Sequence, residues 1–261
     1  MRFKDKVAVV IGGSQGIGEA ISEAFVKEGA RVAVVASSSH EKANAVARRL
    51  SASESQTRGY VADVRDALQV DEMIRKVIQE FSRIDILLNC AGVFYPTPIG
   101  ATQPEDFSRM VDINLKGSWN SINAVAPSMK AQKYGKIVNI ASVCGIMGFG
   151  SFAAYCATKA AIIMMTKSLT MELAPHNINI NAIGPGNTAT PINEYIRTDP
   201  AYANVLADII ASTPSGKAYS SVEDIANVAL FLASDAARAM HGSFVLADEG
   251  YSSGADFSTT K

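Results

Sequence analysis

Cysteine and histidine are scarce in this sequence. There are only three of each among the 261 residues. The cysteines are Cys90, Cys144 and Cys156. Their odd number and the lack of a CxxC spacing predict reduced thiols rather than a disulfide framework or a thiolate metal site. The histidines lie far apart and form no HExxH-like group, so the sequence predicts no metal site.

The sequence also lacks a large net charge and long apolar runs. A net charge of -1, with 19% charged and 48% hydrophobic residues, is typical of an ordinary globular protein and argues against a nucleic-acid partner. The opening MRFKDKVAVVIGG has a short apolar run after its charges, too short for a signal sequence or a membrane span. We therefore expect a cytoplasmic protein with no membrane partner.

Short β-branched runs alternate with segments of helical periodicity. The runs are 6–11, 31–36, 58–64, 84–89, 135–141 and 177–181. Between two of them, Val70, Met73, Ile74, Val77 and Phe81 fall on one helical face. This alternation predicts an α/β fold: a doubly wound parallel sheet of about seven strands with helices on both faces. We expect a single domain over 1–261, with a substrate lid at 187–220, a segment long for a connection.

A glycine-rich turn follows the first run, and a helical pattern follows the turn. Its residues are Gly12, Ser14, Gln15, Gly16, Ile17 and Gly18, with Gly13 between the first two. Glycines in this context let the backbone approach a pyrophosphate, whose charge meets the helix N-terminus, as in a Rossmann-type fold. An ordinary strand-to-helix turn is the alternative. The spacing is GxxxGxG rather than GxGxxG, and together with motifs further along the chain it points to a particular family.

Ser142, Tyr155 and Lys159 form a candidate catalytic group. Tyr155 and Lys159 are four residues apart, which places phenol and ammonium on one face of a helix. A nearby cation favours the phenolate, so we expect Lys159 to lower the pKa of Tyr155. Ser142 follows a predicted strand, where its hydroxyl can hold a substrate oxygen.

Together these motifs resemble the short-chain dehydrogenase/reductase family, in its single-domain branch, over essentially the whole chain. The matching pieces are IGGSQGIG (11–18), Asp63-Val64, NCAG (89–92), Asn114, Ser142, YCATK (155–159) and PGNTAT (185–190). Within the family the pattern is most similar to 3-oxoacyl-acyl-carrier-protein reductases and the ketone reductases near them.

The resemblance implies a role for each matching residue. The catalytic residues it implies are Asn114, Ser142, Tyr155 and Lys159. The cofactor-binding residues it implies, beyond those of the glycine turn, are Asp63, Val64, Asn89, Ala91, Gly92, Tyr155, Lys159, Pro185, Gly186, Thr188 and Thr190. The implied reaction is hydride transfer between a nicotinamide and a carbonyl carbon, with Tyr155 moving the proton and Asn114 helping to hold a water chain to Lys159.

Three residues depart from the family pattern. Ile11 replaces a usual Thr, Cys90 replaces a common second Asn, and Glu249 stands where a Gly is usual. The Glu249 change puts the conformation near the C-terminus, or a subunit contact there, in doubt.

The end of the second predicted strand bears on cofactor choice. NAD-binding Rossmann folds carry an acid about 20 residues past the glycines, whereas Ala36 stands there, followed by Ser37, Ser38 and Ser39. We favour NADP(H) and leave NAD(H) open. The serines suit a 2′-phosphate, and Lys42 or His40 can add charge, but the serines can equally cap the next helix. Gln15 and Ser37 stand where NADP-preferring relatives often carry Arg or Lys.

The substrate is inferred from a mainly apolar set of candidate pocket residues. The set is Phe94, Tyr95, Cys144, Ile146, Met147, Phe149, Ile192 and Tyr195. It favours a small molecule, a ketone or secondary alcohol with a hydrophobic part, although each residue can equally be core or subunit contact. The alternative is a 3-oxoacyl-acyl-carrier-protein reductase, with Lys130, Lys133 and Lys136 as part of a docking patch for the acidic carrier protein. His176 argues against this alternative, because those reductases tend to have Arg at its position.

Two further alternatives lie outside enzymes. A cofactor-sensing regulator typically loses the Tyr or Lys that this chain keeps, and a structural module leaves the Ser-Tyr-Lys group unexplained. The family resemblance also implies a homotetramer, with the helices of 101–130 and 152–174 at one interface.

Overall fold

The computed structural model describes residues 1–51 and 56–254. The predicted domain, 1–261, thus extends over 52–55 and 255–261, which lie outside the described residues. Seven parallel strands form one sheet in the order β3-β2-β1-β4-β5-β6-β7. The strands are β1 (Val7–Ile11), β2 (Arg31–Ala36), β3 (Thr57–Val61), β4 (Ile86–Asn89), β5 (Gly135–Ile140), β6 (Ile178–Pro185) and β7 (Phe244–Ala247).

The apolar runs form the central strands because both faces of the sheet are covered. Val9 of β1 pairs with Ala33 of β2 on one side and Leu87 of β4 on the other, and all three side chains are buried. Side chains on neighbouring positions point to opposite faces, so a strand buried on both faces must be apolar throughout. The predicted α/β class and strand number are confirmed.

In residues 1–51 and 56–254, nine α-helices connect the strands. They are α1 (Gly16–Lys27), α2 (His40–Leu50), α3 (Ala67–Phe81), α4 (Pro104–Met110), α5 (Gly117–Gln132), α6 (Ala153–Leu173), α7 (Glu194–Thr198), α8 (Ala203–Ser212) and α9 (Val222–Ala233). Buried residues of α3, α5 and α6 share one core with one face of the sheet. Those of α1, α2 and α9 share a second core with the other face. Helices therefore cover both faces, as predicted.

The strand order reverses between β1 and β4, which places a crevice at the carboxyl ends of these two strands. The chain runs outward from β1 through β2 to β3 and then returns to pair β4 with β1 on its other side. Ligands of open α/β sheets bind at such a reversal point. Both the glycine turn and the 89–92 segment follow strands at this point.

The segment 187–220 lies above the carboxyl end of β6 and has structure of its own. It contains α7, α8 and two short 3-10 turns. Its two ends are held together, because the N–H of Ala189 donates to the carbonyl of Ser220 and the N–H of Ser220 donates to that of Asn187. The long connection is therefore a closed excursion from the sheet.

In the part of the chain that the structure describes, none of the helices combines the length and the apolar character that crossing a bilayer requires.

Candidate active site

The glycine turn joins β1 to α1 in a conformation that larger residues cannot adopt. Gly12 has φ +76°, and a Cβ there would lie 2.8 Å from the backbone nitrogen of Ala91. A Cβ on Gly18 would lie 2.2 Å from the carbonyl oxygen of Gly12. Both glycines are required by close backbone approach, one to the 89–92 segment and the other within the turn.

The N-terminus of α1 has no side-chain cap, since Gln15 at the N-cap makes no such hydrogen bond. Its first N–H groups and its dipole therefore face the crevice, where an anion would satisfy them. This arrangement fits the diphosphate of a nicotinamide dinucleotide. The residues that would hold it are those of the turn, of which Ile17 lines the same cavity as Gly92, Thr188 and Thr190.

Asp63 and Val64, which the family resemblance predicts to bind adenosine, follow β3. The carboxylate of Asp63 binds Arg65, whose Nε lies 3.0 Å from both oxygens, and this hydrogen bonding lowers the pKa of Asp63. Val64 is buried, and its carbonyl accepts a hydrogen bond from Asn120 at 2.8 Å. The structure thus places both residues at the carboxyl edge of the sheet, with Val64 fixed by the core.

The three serines after β2 divide into two groups. Ser39 is the N-cap of α2, and its hydroxyl accepts from the N–H of Lys42 at 3.1 Å. Ser37 and Ser38 are exposed beside Ala36, the last residue of β2. The helix-capping alternative therefore holds for Ser39, while the hydroxyls of Ser37 and Ser38 remain exposed after β2.

Ser142 follows β5, the strand next to β4, and lies in the wall of the main cavity. Its Oγ accepts a hydrogen bond from the N–H of Cys144 at 3.1 Å, which caps a short 3-10 turn. Because the oxygen is held by this acceptor contact, the hydroxyl proton of Ser142 can be directed into the cavity.

Tyr155 and Lys159 lie on the first two turns of α6 and face the same cavity. The Nζ of Lys159 lies 5.6 Å from the ring centroid of Tyr155, so the i and i+4 spacing brings both groups to one face as predicted. Lys159 is buried and donates to the carbonyl of Ile140 at 2.8 Å. Burial lowers the pKa of Lys159 to about 8.

The expected lowering of the pKa of Tyr155 is wrong for this structure, because the net shift is upward. Burial raises the pKa of Tyr155, and a hydrogen bond with Ser142 opposes that rise only in part. Desolvation of the buried phenol outweighs the opposing hydrogen bond with Ser142. Tyr155 is therefore a protonated phenol at neutral pH.

Asn114 lies in a π-helical turn, Val111–Lys116, between α4 and α5. Its Oδ1 accepts from the N–H of Val93 at 2.8 Å, and its Nδ2 donates to the carbonyl of Val93 at 3.0 Å and to Thr158 Oγ1 at 3.2 Å. The side chain is fully buried. Asn114 thus ties the 89–93 segment to α6, and in this arrangement its side chain is fully occupied by protein partners.

The main cavity has a volume of about 300 Å³ and an apolar wall. Of the predicted pocket residues, five line it: Phe94, Cys144, Phe149, Ile192 and Tyr195. Tyr95, Ile146 and Met147 are not among the residues that line it, so their prediction as pocket residues is wrong. The last two follow the 3-10 turn after Ser142, and Ile146 points to solvent instead.

Sequence reasoning missed several aromatic residues of the cavity. Phe152, Tyr219 and Tyr251 line it as well. Phe152 stacks on Phe94 at 4.4 Å between ring centroids, and Phe94 meets the ring of Tyr155 edge-on at 4.8 Å. Tyr251 could have been predicted from its position after β7, but Phe244–Ala247 was not predicted to be a strand.

The geometry agrees with comparisons to known proteins. A family model described as short chain dehydrogenase matches residues 6–201. The chain belongs to this family. Short-chain dehydrogenases act on CH–OH and C=O groups of small molecules with a nicotinamide cofactor, so the chain is an oxidoreductase.

The relatives of this short-chain dehydrogenase differ in what they act on. The chain is 36% identical over 250 residues to 3-oxoacyl-acyl-carrier-protein reductase FabG of Thermotoga maritima. This match covers 96% of the chain and 99% of the relative. The chain is 37% identical over 252 residues to a 3alpha-hydroxysteroid dehydrogenase of Mediterraneibacter gnavus. This match covers 95% of the chain and 97% of the relative. The structure of a gluconate 5-dehydrogenase from Burkholderia cenocepacia, solved with NADP and tartrate, superposes on the chain with a TM-score of 0.91 at 31% identity. The superposition covers 97% of this chain and 98% of that one.

One of the three lysines of the predicted docking patch of this short-chain dehydrogenase is not at the surface. Lys136 is only 3% exposed, because it is the second residue of β5 and its Nζ donates to Asn179 Oδ1 at 2.8 Å. Burial lowers the pKa of Lys136. The prediction of three docking lysines is therefore wrong, since Lys136 is part of the interior at the amino ends of the strands.

Proposed function

We propose that this short-chain dehydrogenase transfers hydride between NADP(H) and a ketone or secondary alcohol that has a hydrophobic part. The observation that carries the proposal is the apolar cavity with the hydroxyl-bearing side chains of Ser142 and Tyr155 in its wall. An apolar wall with few polar groups binds an apolar body and orients its one reactive oxygen. The aromatic pair Phe94 and Phe152 adds flat apolar surface beside Tyr155.

In this mechanism Tyr155 is the proton donor for the reduction of a carbonyl. Burial keeps the phenol protonated at neutral pH, so it can give its proton to the oxygen as charge develops there. Ser142 donates a second hydrogen bond to the same oxygen and orients it. A dinucleotide bound along the crevice would supply the hydride to the carbonyl carbon.

Lys159 and Asn114 support this reaction in different ways. Lys159 is charged at neutral pH, below its pKa of about 8, and its positive charge favours the phenolate that remains after proton transfer. Asn114 positions the backbone at Val93, which lines the cavity. The role of Asn114 in a water chain remains a proposal from the family resemblance.

A second candidate function is the reduction of 3-oxoacyl groups on an acyl-carrier protein. The identity of 36% to FabG of Thermotoga maritima favours it. The burial of Lys136 weakens it, because an acidic carrier protein needs accessible cations at its docking surface. The hydroxysteroid dehydrogenase relative, at 37% identity, favours a free hydrophobic substrate instead.

The test is a spectrophotometric screen that follows the reduced nicotinamide. Hydroxysteroids, aliphatic ketones, acyl thioesters and sugar acids are each offered with NADP(H) and with NAD(H), and Tyr155→Phe is the blank. We expect the highest kcat/KM for ketones or alcohols with a large apolar part. Turnover confined to carrier-protein thioesters would favour the second candidate, and turnover confined to sugar acids would overturn both.

We also propose a homotetramer in which α4, α5 and α6 form an interface. These helices expose large apolar side chains, among them Phe107, Trp119, Met164 and Met171. Clustered exposed apolar residues on neighbouring helices indicate an interaction surface. Sedimentation velocity of the purified chain tests this, and a monomer at micromolar concentration would contradict it.

The segment 187–220 is proposed as the lid, since its Ile192, Tyr195 and Tyr219 line the cavity.

A further inference from the structure

The glycine turn and the end of β2 meet beside the place where a Rossmann fold holds the adenosine ribose. The N–H groups of Gly12 and Gly13 both donate to the carbonyl of Val35, each at 3.0 Å. β2 then ends at Ala36, whose small side chain carries no charge. The position that binds a ribose 2′-hydroxyl through an acid in NAD enzymes is therefore neutral here.

A lysine from the next helix reaches into this corner. The Nζ of Lys42 donates to Oε1 of Gln15 at 2.6 Å. Gln15 belongs to the glycine turn, and Lys42 is the third residue of α2, 27 positions further along the chain. The two side chains thus connect the glycine turn after β1 with the first turn of α2 after β2, and both are exposed to solvent there.

Lys42 adds positive charge to the first turn of α2, which also contains Glu41. A cation in the first turn of a helix opposes the partial positive charge of the helix N-terminus. The hydrogen bond to Gln15 directs the ammonium toward the glycine turn, where the uncapped N-terminus of α1 adds further positive potential. A dianionic group held between Lys42 and the exposed hydroxyls of Ser37 and Ser38 would neutralise this accumulation.

We propose that Lys42 is the cation that selects a 2′-phosphate and that Gln15 is the positioning residue that holds it in place. The inference rests on the proposed NADP(H) preference and deepens it. Gln15 carries no charge itself, but it holds the charge of Lys42 at the crevice, with Ser37 and Ser38 as additional hydrogen-bond donors. Ser39 is not part of this set, because its hydroxyl caps α2.

The competing explanation is a simple tie between α1 and α2. A second tie already joins these helices, because the guanidinium of Arg49 pairs with the carboxylate of Glu19. Loss of the Gln15–Lys42 bond would therefore leave the two helices connected. A structural tie would affect NAD⁺ and NADP⁺ alike, whereas a phosphate contact affects NADP⁺ alone.

The test is calorimetric titration of the full chain with NADP⁺ and with NAD⁺. The variants are Lys42→Met, Lys42→Arg and Gln15→Met, and the matched control is Lys27→Met, which removes an exposed lysine at the far end of α1. We expect Lys42→Met to weaken NADP⁺ binding about tenfold and to leave NAD⁺ within about twofold, the size of a partly exposed charge-assisted contact.

The other variants sharpen the assignment. Lys42→Arg keeps the charge and should keep most of the NADP⁺ affinity. Gln15→Met should weaken NADP⁺ binding about threefold, since the ammonium remains but is no longer positioned. The NADP⁺ affinity of the unchanged protein should fall more steeply with salt than that of Lys42→Met.

Failure of the inference and failure of the proposed function give different results. Unchanged NADP⁺ binding in Lys42→Met, or equal losses for both dinucleotides, would overturn the inference. Tighter binding of NAD⁺ than NADP⁺ by the unchanged protein would overturn the proposed cofactor preference before any variant is compared. Selective loss of NADP⁺ binding without any ketone turnover would keep the inference and reject the proposed reaction.

Discussion

The ammonium of Lys159 donates to the backbone carbonyl of Ile140 over 2.8 Å, at the end of the strand that leads into Ser142. Lys159 is almost completely buried, and burial lowers its pKa to about 8 from the ordinary value of 10.5. One carbonyl therefore compensates only part of the cost of removing this charge from water. This burial cost is consistent with the proposed role of Lys159 in the reaction rather than with a role in stability.

We predict that Lys159→Met stabilises the protein while it abolishes turnover. The lowered pKa corresponds to about 3 kcal/mol, so replacement by an apolar side chain of similar length should raise the free energy of unfolding by about 2 kcal/mol near neutral pH. Urea unfolding followed by circular dichroism measures this. Lys167→Met, at an exposed position of the same helix, is the control and should change stability by under about 0.5 kcal/mol.

The same variant has a defined pH dependence. Below pH 8 the lysine is charged in both the folded and the unfolded state, so the full burial cost applies. Between 8 and 10.5 the folded protein has lost the proton and the unfolded chain still holds it, so the stability of the unchanged protein rises with pH. The advantage of Lys159→Met should therefore shrink in this window. An advantage that is constant or grows with pH would contradict the pKa assignment.

Tyr155→Phe tests the proton donor. The phenylalanine ring can keep the edge-on contact with Phe94, which has 4.8 Å between ring centroids. The variant loses only the hydroxyl, so we expect kcat to fall by about a thousandfold and the dissociation constant of the dinucleotide to change by less than about threefold. Tyr202→Phe, in the lid but outside the cavity wall, is the control. Retained turnover in Tyr155→Phe would remove Tyr155 from the mechanism.

Asn114→Ala tests whether the π-helical turn serves the site through positioning. The variant leaves the N–H and the carbonyl of Val93 without their partners, which should cost about 2 kcal/mol of stability and lower kcat. Asn181→Ala is matched to it, since Asn181 is equally buried and its amide bonds the backbone of Met240 and Ser243. We expect similar destabilisation by both variants but a fall in kcat only for Asn114→Ala. Equal kcat values would show that Asn114 is structural alone.

The sequence predicted the parts of the fold that depend on local pattern. The run at 31–36 and the helical stripe from Val70 to Phe81 appear as β2 and the buried face of α3, because their periodicity matches the faces they bury. β7 was missed, since Phe244–Ala247 is four residues long and only half-buried. β6 was predicted as 177–181 but spans Ile178–Pro185, because its second half, AIGP, has no strand-like alternation.

The parts of the site that could not be predicted depend on contacts between distant segments. Lys136 follows a glycine at the start of a predicted strand and looks exposed in sequence, yet its partner Asn179 is 43 residues away. The pKa of Tyr155 was expected to follow Lys159, four residues on, whereas burial by the rest of the fold decides it. The partnership of Gln15 and Lys42 likewise appears only when β1 and β2 lie side by side.

Glu249 has φ +57° in the loop after β7, where the family pattern has Gly. Its backbone carbonyl accepts from the N–H of Ser215 at 3.3 Å, and its carboxylate accepts from Ser220 Oγ at 3.4 Å and lies 4.0 Å from the Nζ of Lys217. The residue therefore accepts a left-handed backbone, which costs about 1 kcal/mol for a side chain with a Cβ, and contacts the end of the proposed lid.

A pair of variants separates these two effects. Glu249→Ala and Glu249→Gly both lack the carboxylate and differ only in the Cβ, so Glu249→Gly should be more stable than Glu249→Ala by about 1 kcal/mol in urea unfolding. Both should raise KM for the substrate, because the contacts to Ser220 and Lys217 are lost and the lid closes less readily over the cavity. Since this ion pair is partly exposed, the rise should be only about threefold. An unchanged KM in both variants would mean that the carboxylate of Glu249 does not hold the lid, and equal stabilities would mean that its backbone is not strained.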